Sequence, residues 1–214
     1  MKKLFAKVKS GLLLGLISIL YTGASMAAIE EPTYSVIEKS GAFELRAYEP
    51  KIIAEVTVSG SMKQASNKGF KMIAGYIFGG NTSQQGDAEK ISMTTPVTME
   101  PSGSEKISMT APVMMQQGDS QWRVHFVMPS KYTMATLPKP NNSEVTLREI
   151  PKQNYAVIRF SGLAGPQKVA NMTASLEKWL ATKNITPTGK PELSRYDPPW
   201  TIPLFRRNEV MVAY

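Results

Sequence analysis

The sequence predicts an α+β fold, in which an antiparallel sheet or barrel carries two helices on its outside. Short segments of alternating apolar and polar residues, typical of half-buried strands, alternate with two segments of helical spacing. A weak internal repeat relates residues 43–60 to residues 145–162 at a constant offset. The identical pairs are Leu45/Leu147, Arg46/Arg148, Ala54/Ala156, Ser59/Ser161 and Gly60/Gly162. Each half is therefore predicted to be a strand-strand-helix-strand-strand unit.

The first half contains a helix between groups of strands. Its alternating segments are residues 34–38, 43–48, 52–59 and, further on, 121–128. The spacing becomes helical over residues 61–78, and Gly79-Gly80-Asn81 ends the predicted helix. The apolar stripe of this helix is Ala65, Met72, Ile73, Tyr76 and Ile77. Residues 81–89 are predicted to form a polar loop.

An octapeptide occurs twice, at residues 90–97 and 106–113, with one difference between the copies. Each copy alternates as a half-buried strand does, and the proline in each is typical of an edge or a strand end. Residues 100–105 between them are rich in turn-forming residues. The sequence therefore predicts an antiparallel hairpin with Met93 and Met109 facing one core.

The second half repeats the order of elements. Its predicted elements are strands at 144–150 and 154–161, a helix at 166–182, and strands at about 192–196 and 209–214. The helix carries an apolar stripe that includes Leu176 and Leu180. Prolines at 198, 199 and 203 exclude regular structure between the last two strands.

The N-terminal residues are typical of a secretory signal. Four lysines precede an apolar run at residues 11–21, and Ser25-Met26-Ala27 matches a cleavage site. The run is about half the roughly 20 residues that a membrane span needs. We expect residues 1–27 to be removed, leaving residues 28–214 as one exported domain, periplasmic or secreted, with no stable membrane anchor. Its half-repeats are predicted at about 34–128 and 144–214.

Composition excludes several classes of function. The net charge of +8 includes the four lysines of the signal, so the exported chain carries +4 without basic runs, and no nucleic-acid partner is expected. The absence of cysteine excludes thiol catalysis, thiolate metal sites and covalently attached haem. A single histidine, His125, excludes mechanisms that need two imidazoles.

His125 is a weak candidate for a metal or haem ligand, because imidazole commonly ligates both. It alternates with Trp122, Val124 and Phe126, so the other interpretation is a partly exposed histidine on the polar face of a strand. Methionine could also ligate haem iron or Cu(I), although strand methionines are more often core packing.

Catalytic residues are not predicted. The chain has no G-x-S-x-G segment, and no histidine lies near Ser92, Thr94 or Ser108. Strand carboxylates such as Glu44 and Glu55 could meet in space, yet no spacing pairs them for acid-base chemistry. The sequence therefore favours a non-enzymatic function.

The late loop is the other informative segment. Residues 196–200 read Tyr-Asp-Pro-Pro-Trp, and Arg206-Arg207 follow. Trp200 offers an aromatic platform, and the guanidinium groups could pair with carboxylates such as porphyrin propionates. The alternative is a rigid loop whose arginines bind Asp197 or backbone carbonyls.

Six ordered motifs closely resemble the SOUL haem-binding protein family, over residues from about Pro32 to Tyr214. They are the Met-Thr-x-Pro-Val copies, Val127-Met128-Pro129-Ser130, Leu137-Pro138-Lys139-Pro140, Phe160-Ser161-Gly162, Tyr196-Asp197-Pro198-Pro199 and Arg206-Arg207-Asn208-Glu209. The resemblance implies a distorted antiparallel β-barrel of about eight strands with two flanking helices and a pseudo-twofold internal repeat. Gyrase-inhibitor-like effector-binding domains share this fold.

The resemblance also implies non-covalent binding of haem or a related tetrapyrrole, in an apolar surface groove between the first helix and the late loop. The histidine proposed as an axial ligand in some members falls in the N-terminal strands, where this chain has none. We expect stacking on Phe78, Trp200 and Phe205, beside Ala74, and pairing of propionates with Lys71 and Arg206.

Three functions remain open from the sequence. The leading one is a haem carrier or buffer outside the cytoplasm. The second is an effector-binding module of the same fold for another hydrophobic small molecule. The third is a hydrolase-like enzyme that acts on a small lipophilic substrate through strand carboxylates such as Glu55.

Overall fold

The computed structural model describes residues 29–102 and 121–214. The strands are β1 (Tyr34–Ser40), β2 (Phe43–Tyr48), β3 (Lys51–Ser59), β4 (Asn81–Thr82), β5 (Val97–Pro101), β6 (Gln121–Val127), β7 (Lys139–Pro140), β8 (Thr146–Ile150), β9 (Gln153–Phe160), β10 (Glu192–Arg195) and β11 (Asn208–Ala213). The helices are α1 (Met62–Ile77) and α2 (Pro166–Ala181), and Pro203–Phe205 form a short 3-10 turn. The predicted signal peptide, residues 1–27, lies outside the described residues.

Nine strands form one antiparallel sheet in the order β1-β2-β9-β11-β10-β5-β6-β3-β8. Exchanging β2 with β8, β3 with β9, β5 with β10 and β6 with β11 gives the same order of those eight strands, read from the opposite edge of the sheet. The pseudo-twofold repeat predicted from the sequence is thereby confirmed. β1 adds a ninth strand at one edge, and β4 and β7 form a separate two-stranded pair.

The sheet curls into a half-barrel. β2 and β3 lie six places apart in the sheet, yet only Glu49 and Pro50 join them along the chain. The two sides must therefore approach each other, and the Lys51 ammonium lies 4.5 Å from the centre of the Tyr48 ring. The predicted distorted barrel with two flanking helices is confirmed, as a curled open sheet.

Helix α1 begins where the sequence predicts. Ser61 is its N-cap: its side chain accepts a hydrogen bond from the Gln64 N–H, and the Gln64 side chain accepts one from the Ser61 N–H, which forms a capping box. Gly69 lets α1 approach β6 closely, because a Cβ there would lie 2.7 Å from the Val124 side chain. This contact fixes the helix against the outer face of the sheet.

The two faces of the sheet carry different cores. The outer face packs apolar side chains such as Val56, Phe126 and Val210 beneath both helices. The inner face carries charged and polar side chains, of which Arg46, His125 and Glu209 are buried. A smaller apolar cluster of Tyr48, Tyr155, Val157 and Met211 lies beside them. Strand alternation therefore separates an apolar outer layer from a mixed interior that holds the buried charges.

The predicted hairpin of the repeated octapeptide is wrong for its first copy. Residues 91–93 form no regular structure, Thr94 makes an isolated bridge to Glu30, and the strand begins only at Val97. Pro96 has no N–H to give to a ladder, which explains why β5 starts after it. β5 pairs with β6 and β10. The second copy lies outside the described residues.

Candidate functional site

The predicted helix residues share one side of α1. Lys71, Ala74 and Phe78 follow the i, i+3, i+7 spacing that places side chains on one helix face. Phe78 is 59 % exposed at the C-cap, and Lys71 is also exposed. Ala74 is buried, so it lies at the floor of this face rather than on its surface.

The loop between β10 and β11 is rigidly held. The Asp197 carboxylate accepts a hydrogen bond from the Arg207 backbone N–H at 2.6 Å. The Gly162 N–H donates to the Pro203 carbonyl at 2.9 Å, which ties the loop to the β9–α2 connection. On this frame, Trp200 is 82 % exposed and Phe205 is 70 % exposed.

The Arg206 side chain stabilises its own loop through hydrogen bonds to the loop backbone. Its Nε donates to the Thr201 carbonyl at 2.8 Å, and its Nη2 donates to the Pro199 carbonyl. This is the alternative that the sequence left open for the arginines, here with backbone carbonyls as partners. Because a guanidinium group has five N–H donors, these two bonds leave donors for a carboxylate.

Arg195 connects the base of this loop to the first half of α1. Its guanidinium donates to the Ser66 hydroxyl at 3.0 Å and to the Ala164 carbonyl at 3.4 Å. Phe78 lies twelve residues beyond Ser66, about 18 Å along the helix axis. Phe70, one turn beyond Ser66, is 38 % exposed and was not predicted. The loop base thus contacts the end of α1 that is remote from Phe78.

Three further apolar residues were missed by the sequence analysis. Leu163, Ile202 and Leu204 are exposed beside Trp200 and Phe205 on the two joined loops. The signal for Ile202 and Leu204 is their position on either side of Pro203 in a segment that cannot form a strand, whereas nothing in the sequence connects Leu163 with them. The apolar surface is therefore larger than predicted and centres on the loops.

His125 lies on the inner face of the sheet, and the expectation of partial exposure is wrong. It is 7 % exposed, because the curled sheet covers a face that a flat sheet would leave open. Its Nδ1 has no hydrogen-bond partner among the described residues. Burial, followed by the charges of Lys51, Arg123 and Arg148, lowers the pKa of His125 to about 3. Its role as a ligand stays a prediction.

A buried ion network joins the interior to the loop base. The Arg46 guanidinium donates two hydrogen bonds to Glu209, at 2.8 and 3.1 Å. Glu209 also accepts from the Tyr196 hydroxyl at 2.8 Å and from the Arg207 Nε at 3.0 Å. Burial opposes ionisation of Glu209, but the bonds from Arg46 outweigh it and hold the pKa of Glu209 below its usual value.

Carboxylates converge inside the half-barrel and not in the predicted groove. Arg123 pairs with Glu100, and its Nε lies 3.7 Å from Glu55. Nearby, burial and the charge of Glu100 raise the pKa of Glu192 to about 7. Arg148 forms two hydrogen bonds of 2.8 Å to Glu55. Glu55, the carboxylate considered for an enzyme, is therefore held in ion pairs.

A surface cavity of about 470 Å³ lies elsewhere, and none of the predicted site residues lines it. Four carboxylates and one ammonium group surround it, so its charge is wrong for a ligand with two propionates. Its charged lining residues are Glu30, Glu31, Glu49, Lys51 and Glu149.

The described residues contain no group of three histidine, cysteine, aspartate or glutamate side chains that could hold a metal ion. Within the same residues, no helix is long and apolar enough to cross a membrane.

Comparison with known protein families shows to which family this chain belongs. The family described as SOUL heme-binding protein matches residues 29–213. The chain belongs to the SOUL haem-binding protein family. The family resemblance inferred from the ordered motifs is thereby confirmed. No curated protein matches the sequence.

Solved structures share the fold of this SOUL protein at low sequence identity. The C-terminal domain of EcmrR is 12 % identical with a TM-score of 0.57, covering 84 % of this chain and 96 % of that one. A structure described as a hydrolase from Listeria innocua is 11 % identical with a TM-score of 0.52, covering 82 % and 93 %. An uncharacterized conserved protein from the same organism is 13 % identical with a TM-score of 0.53, covering 79 % and 90 %.

The exposed residues of the SOUL protein fit the porphyrin ring and the propionates of a haem group, but they include no histidine for its iron. Trp200 and Phe205 offer apolar contact, and Arg206 retains donors for a carboxylate. The only histidine lies on the inner face of the sheet, away from these side chains. The site therefore fits a porphyrin ring and its propionates without histidine ligation of iron.

Proposed function

We propose that this SOUL protein binds haem or a related tetrapyrrole non-covalently on the exposed aromatic side chains of the Trp200 loop, Trp200 and Phe205. The observation that carries the proposal is the exposure of Trp200 and Phe205 on a loop held rigid by Arg206 and Asp197. Because the loop backbone is already held in place, these aromatic side chains bind a flat apolar ligand at a lower ordering cost than they would on a mobile loop.

The helix contributes the second wall in this proposal. Lys71 would add positive charge along α1, and Arg206 would meet a propionate from the loop side. Phe78 contributes little to this wall, because it lies about 18 Å along the helix axis from Ser66, where the loop base contacts α1. The Arg195 bonds to Ser66 and Ala164 support the loop against the helix. Apolar contact at roughly 25 cal/mol per Å² supports micromolar binding without an iron ligand.

The N-terminal signal-like segment supports action outside the cytoplasm, periplasmic or secreted. A non-covalent site without strong iron ligation releases its ligand readily, which suits buffering or carriage rather than catalysis. The proposed function is therefore the transport or storage of a tetrapyrrole outside the cytoplasm.

The test is a hemin titration of the protein in its exported form. We expect a saturable Soret shift at one equivalent, and about thirtyfold weaker binding in Trp200→Ser/Phe205→Ser, since each of the two lost aromatic contacts removes roughly 1 kcal/mol. Val36→Ser/Ile37→Ser is the matched control, because these exposed residues lie on β1. The proposal is contradicted if the Soret response to hemin does not saturate and is the same in Trp200→Ser/Phe205→Ser and Val36→Ser/Ile37→Ser.

His125→Gln separates apolar binding from ligation. With the site on the Trp200 loop, His125→Gln keeps the Soret maximum and the affinity of the wild-type protein. Loss of the shift in this variant alone would place the iron on the inner face of the sheet and overturn the location proposed here.

A further inference from the structure

The two joined loops form a dense apolar surface, which we name the docking patch. Its residues are Leu163, Trp200, Ile202, Leu204 and Phe205, exposed by 65, 82, 63, 71 and 70 %. Large apolar side chains this exposed are common singly, but five on two adjacent loops indicate a partner. Three of them lie outside the residues assigned to haem.

The docking patch is held in its exposed arrangement. The Gly162 N–H donates to the Pro203 carbonyl at 2.9 Å, and the Asn208 side-chain amide donates to the Gly162 carbonyl at 3.0 Å. These bonds join both loops at their base. Prolines at 198, 199 and 203 restrict the backbone further. The patch is therefore ready to bind without reorganisation.

The unpaired charge beside the docking patch is basic. Residues 159–170 and 195–207 contain five basic residues and one acid. Arg207 is paired with Glu31 and Glu209, and Arg195 is bonded to Ser66 and Ala164, which leaves Arg159, Lys168 and the remaining donors of Arg206. Arg159 and Lys168 are exposed, and the single acid, Asp197, accepts the Arg207 backbone N–H. The patch is thus an apolar centre with basic residues on the adjoining segments, called here the basic rim, a combination with which peripheral proteins bind anionic lipid.

We propose that the docking patch seats the protein reversibly on an anionic lipid surface. Its apolar side chains enter the boundary between headgroups and acyl chains, where tryptophan is favoured, and the basic rim contacts the headgroups. A second copy of the chain is a poorer occupant, because two facing patches would bring two basic rims together. The lipid proposal does not depend on haem binding.

The test is co-sedimentation of the exported protein with vesicles. We expect binding to phosphatidylcholine vesicles that contain phosphatidylglycerol, and at least about tenfold weaker binding for Ile202→Ser/Leu204→Ser, which removes two apolar anchors. Val36→Ser/Ile37→Ser, which changes two exposed apolar residues on β1, should bind as the wild type does. Arg159→Gln/Lys168→Gln should weaken binding to the anionic vesicles and leave the weak binding to pure phosphatidylcholine unchanged.

Three outcomes overturn the proposal. They are no binding of the wild-type protein to anionic vesicles, equal binding of wild type and Ile202→Ser/Leu204→Ser, and a dimer in light scattering that this variant abolishes. Circular dichroism and the thermal midpoint show that the variants are folded. Hemin titration of Ile202→Ser/Leu204→Ser without lipid separates the two proposals. This variant should still bind hemin although it no longer binds vesicles.

Discussion

The inside of the half-barrel and the docking patch reverse the usual distribution of residues. Inside, Arg46 and Glu209 are almost fully buried, and each has several charged or polar partners. On the loops, Trp200 and Leu204 are more than two-thirds exposed. The interior charges satisfy each other and so support the fold, whereas the loop side chains are largely exposed and available to a ligand or a surface.

Tyr196 and Arg207 connect these two regions. Both flank the loop, and both bond to Glu209 inside the half-barrel. The Arg207 guanidinium also lies 3.6 Å from the centre of the Tyr196 ring. The buried ions therefore hold the ends of the loop that carries the exposed apolar residues. Four predictions, from the largest expected effect to the smallest, test this division.

Glu209→Gln should cost about 3–5 kcal/mol of unfolding free energy, because it leaves the buried Arg46 charge without its main partner. Urea denaturation measures the change. The control is Glu49→Gln, whose partner Lys152 is exposed, and its cost should stay below about 1 kcal/mol. Equal effects of the two substitutions would show that the interior ions do not support the fold.

His125 should make the protein less stable at acid pH. Its pKa falls from 6.5 to about 3 on folding, so the unfolded chain binds more protons between these values. Stability from this group is complete above pH 6.5 and is lost as the pH falls toward 3, by up to about 1.4 kcal/mol per pH unit.

Comparison with His125→Gln isolates this contribution. Glu192 acts in the opposite direction, because its pKa rises from 4.5 to about 7 on folding and its stabilisation is lost as the pH rises. Denaturation of both proteins at several pH values should show that His125→Gln loses less unfolding free energy at acid pH than the wild-type protein does. Parallel pH profiles of the two proteins would contradict burial of a neutral imidazole.

Gly69→Ala should destabilise the outer apolar layer by about 1–3 kcal/mol, because the new methyl group overlaps the Val124 side chain. Gly75→Ala is the matched control on the same helix. A Cβ at Gly75 meets nothing within 4 Å, so this substitution should be neutral or stabilising by up to about 1 kcal/mol. Thermal unfolding measures the stability of both variants. An equal loss of stability in Gly69→Ala and Gly75→Ala would argue against close packing of α1 on β6.

Ile202→Ser should change the free energy of unfolding by less than about 0.5 kcal/mol, although it removes a large apolar side chain. The reason is that Ile202 is 63 % exposed. Ile53→Ser, at a position 1 % exposed in β3, gives the contrast and should cost several times more. A large loss for Ile202→Ser would mean that the docking patch is part of the core.

Sequence reasoning predicted the elements that follow a simple period. α1 and α2 were found within about two residues of their ends, because capping and apolar spacing are local signals. The internal repeat also predicted the pseudo-twofold symmetry that the strand order shows. The strand prediction for the first octapeptide copy was wrong, because its residues alternate as a strand does while Pro96 cannot join a hydrogen-bonded ladder.

The candidate site was predictable only in part. Trp200, Phe205 and Arg206 were found from loop chemistry and family resemblance, and the structure places them on one rigid loop. The burial of His125 was not predictable, because it depends on how far the sheet curls. The proximity of Leu163 to the late loop was also hidden, since it requires the long-range bond from Gly162 to Pro203.

Three tryptophans allow the most direct test of the proposed haem site. In the NMR spectrum of the isotope-labelled protein, each indole N–H gives its own signal, and diamagnetic gallium protoporphyrin can be titrated in. We predict that the Trp200 signal shifts and saturates at one equivalent, while the signals of Trp122, bonded to the Gly60 carbonyl, and Trp179, stacked on Phe43, stay in place. An unmoved Trp200 signal, with shifts instead at the backbone amides of His125 and Glu209 on the inner face of the sheet, would contradict the account.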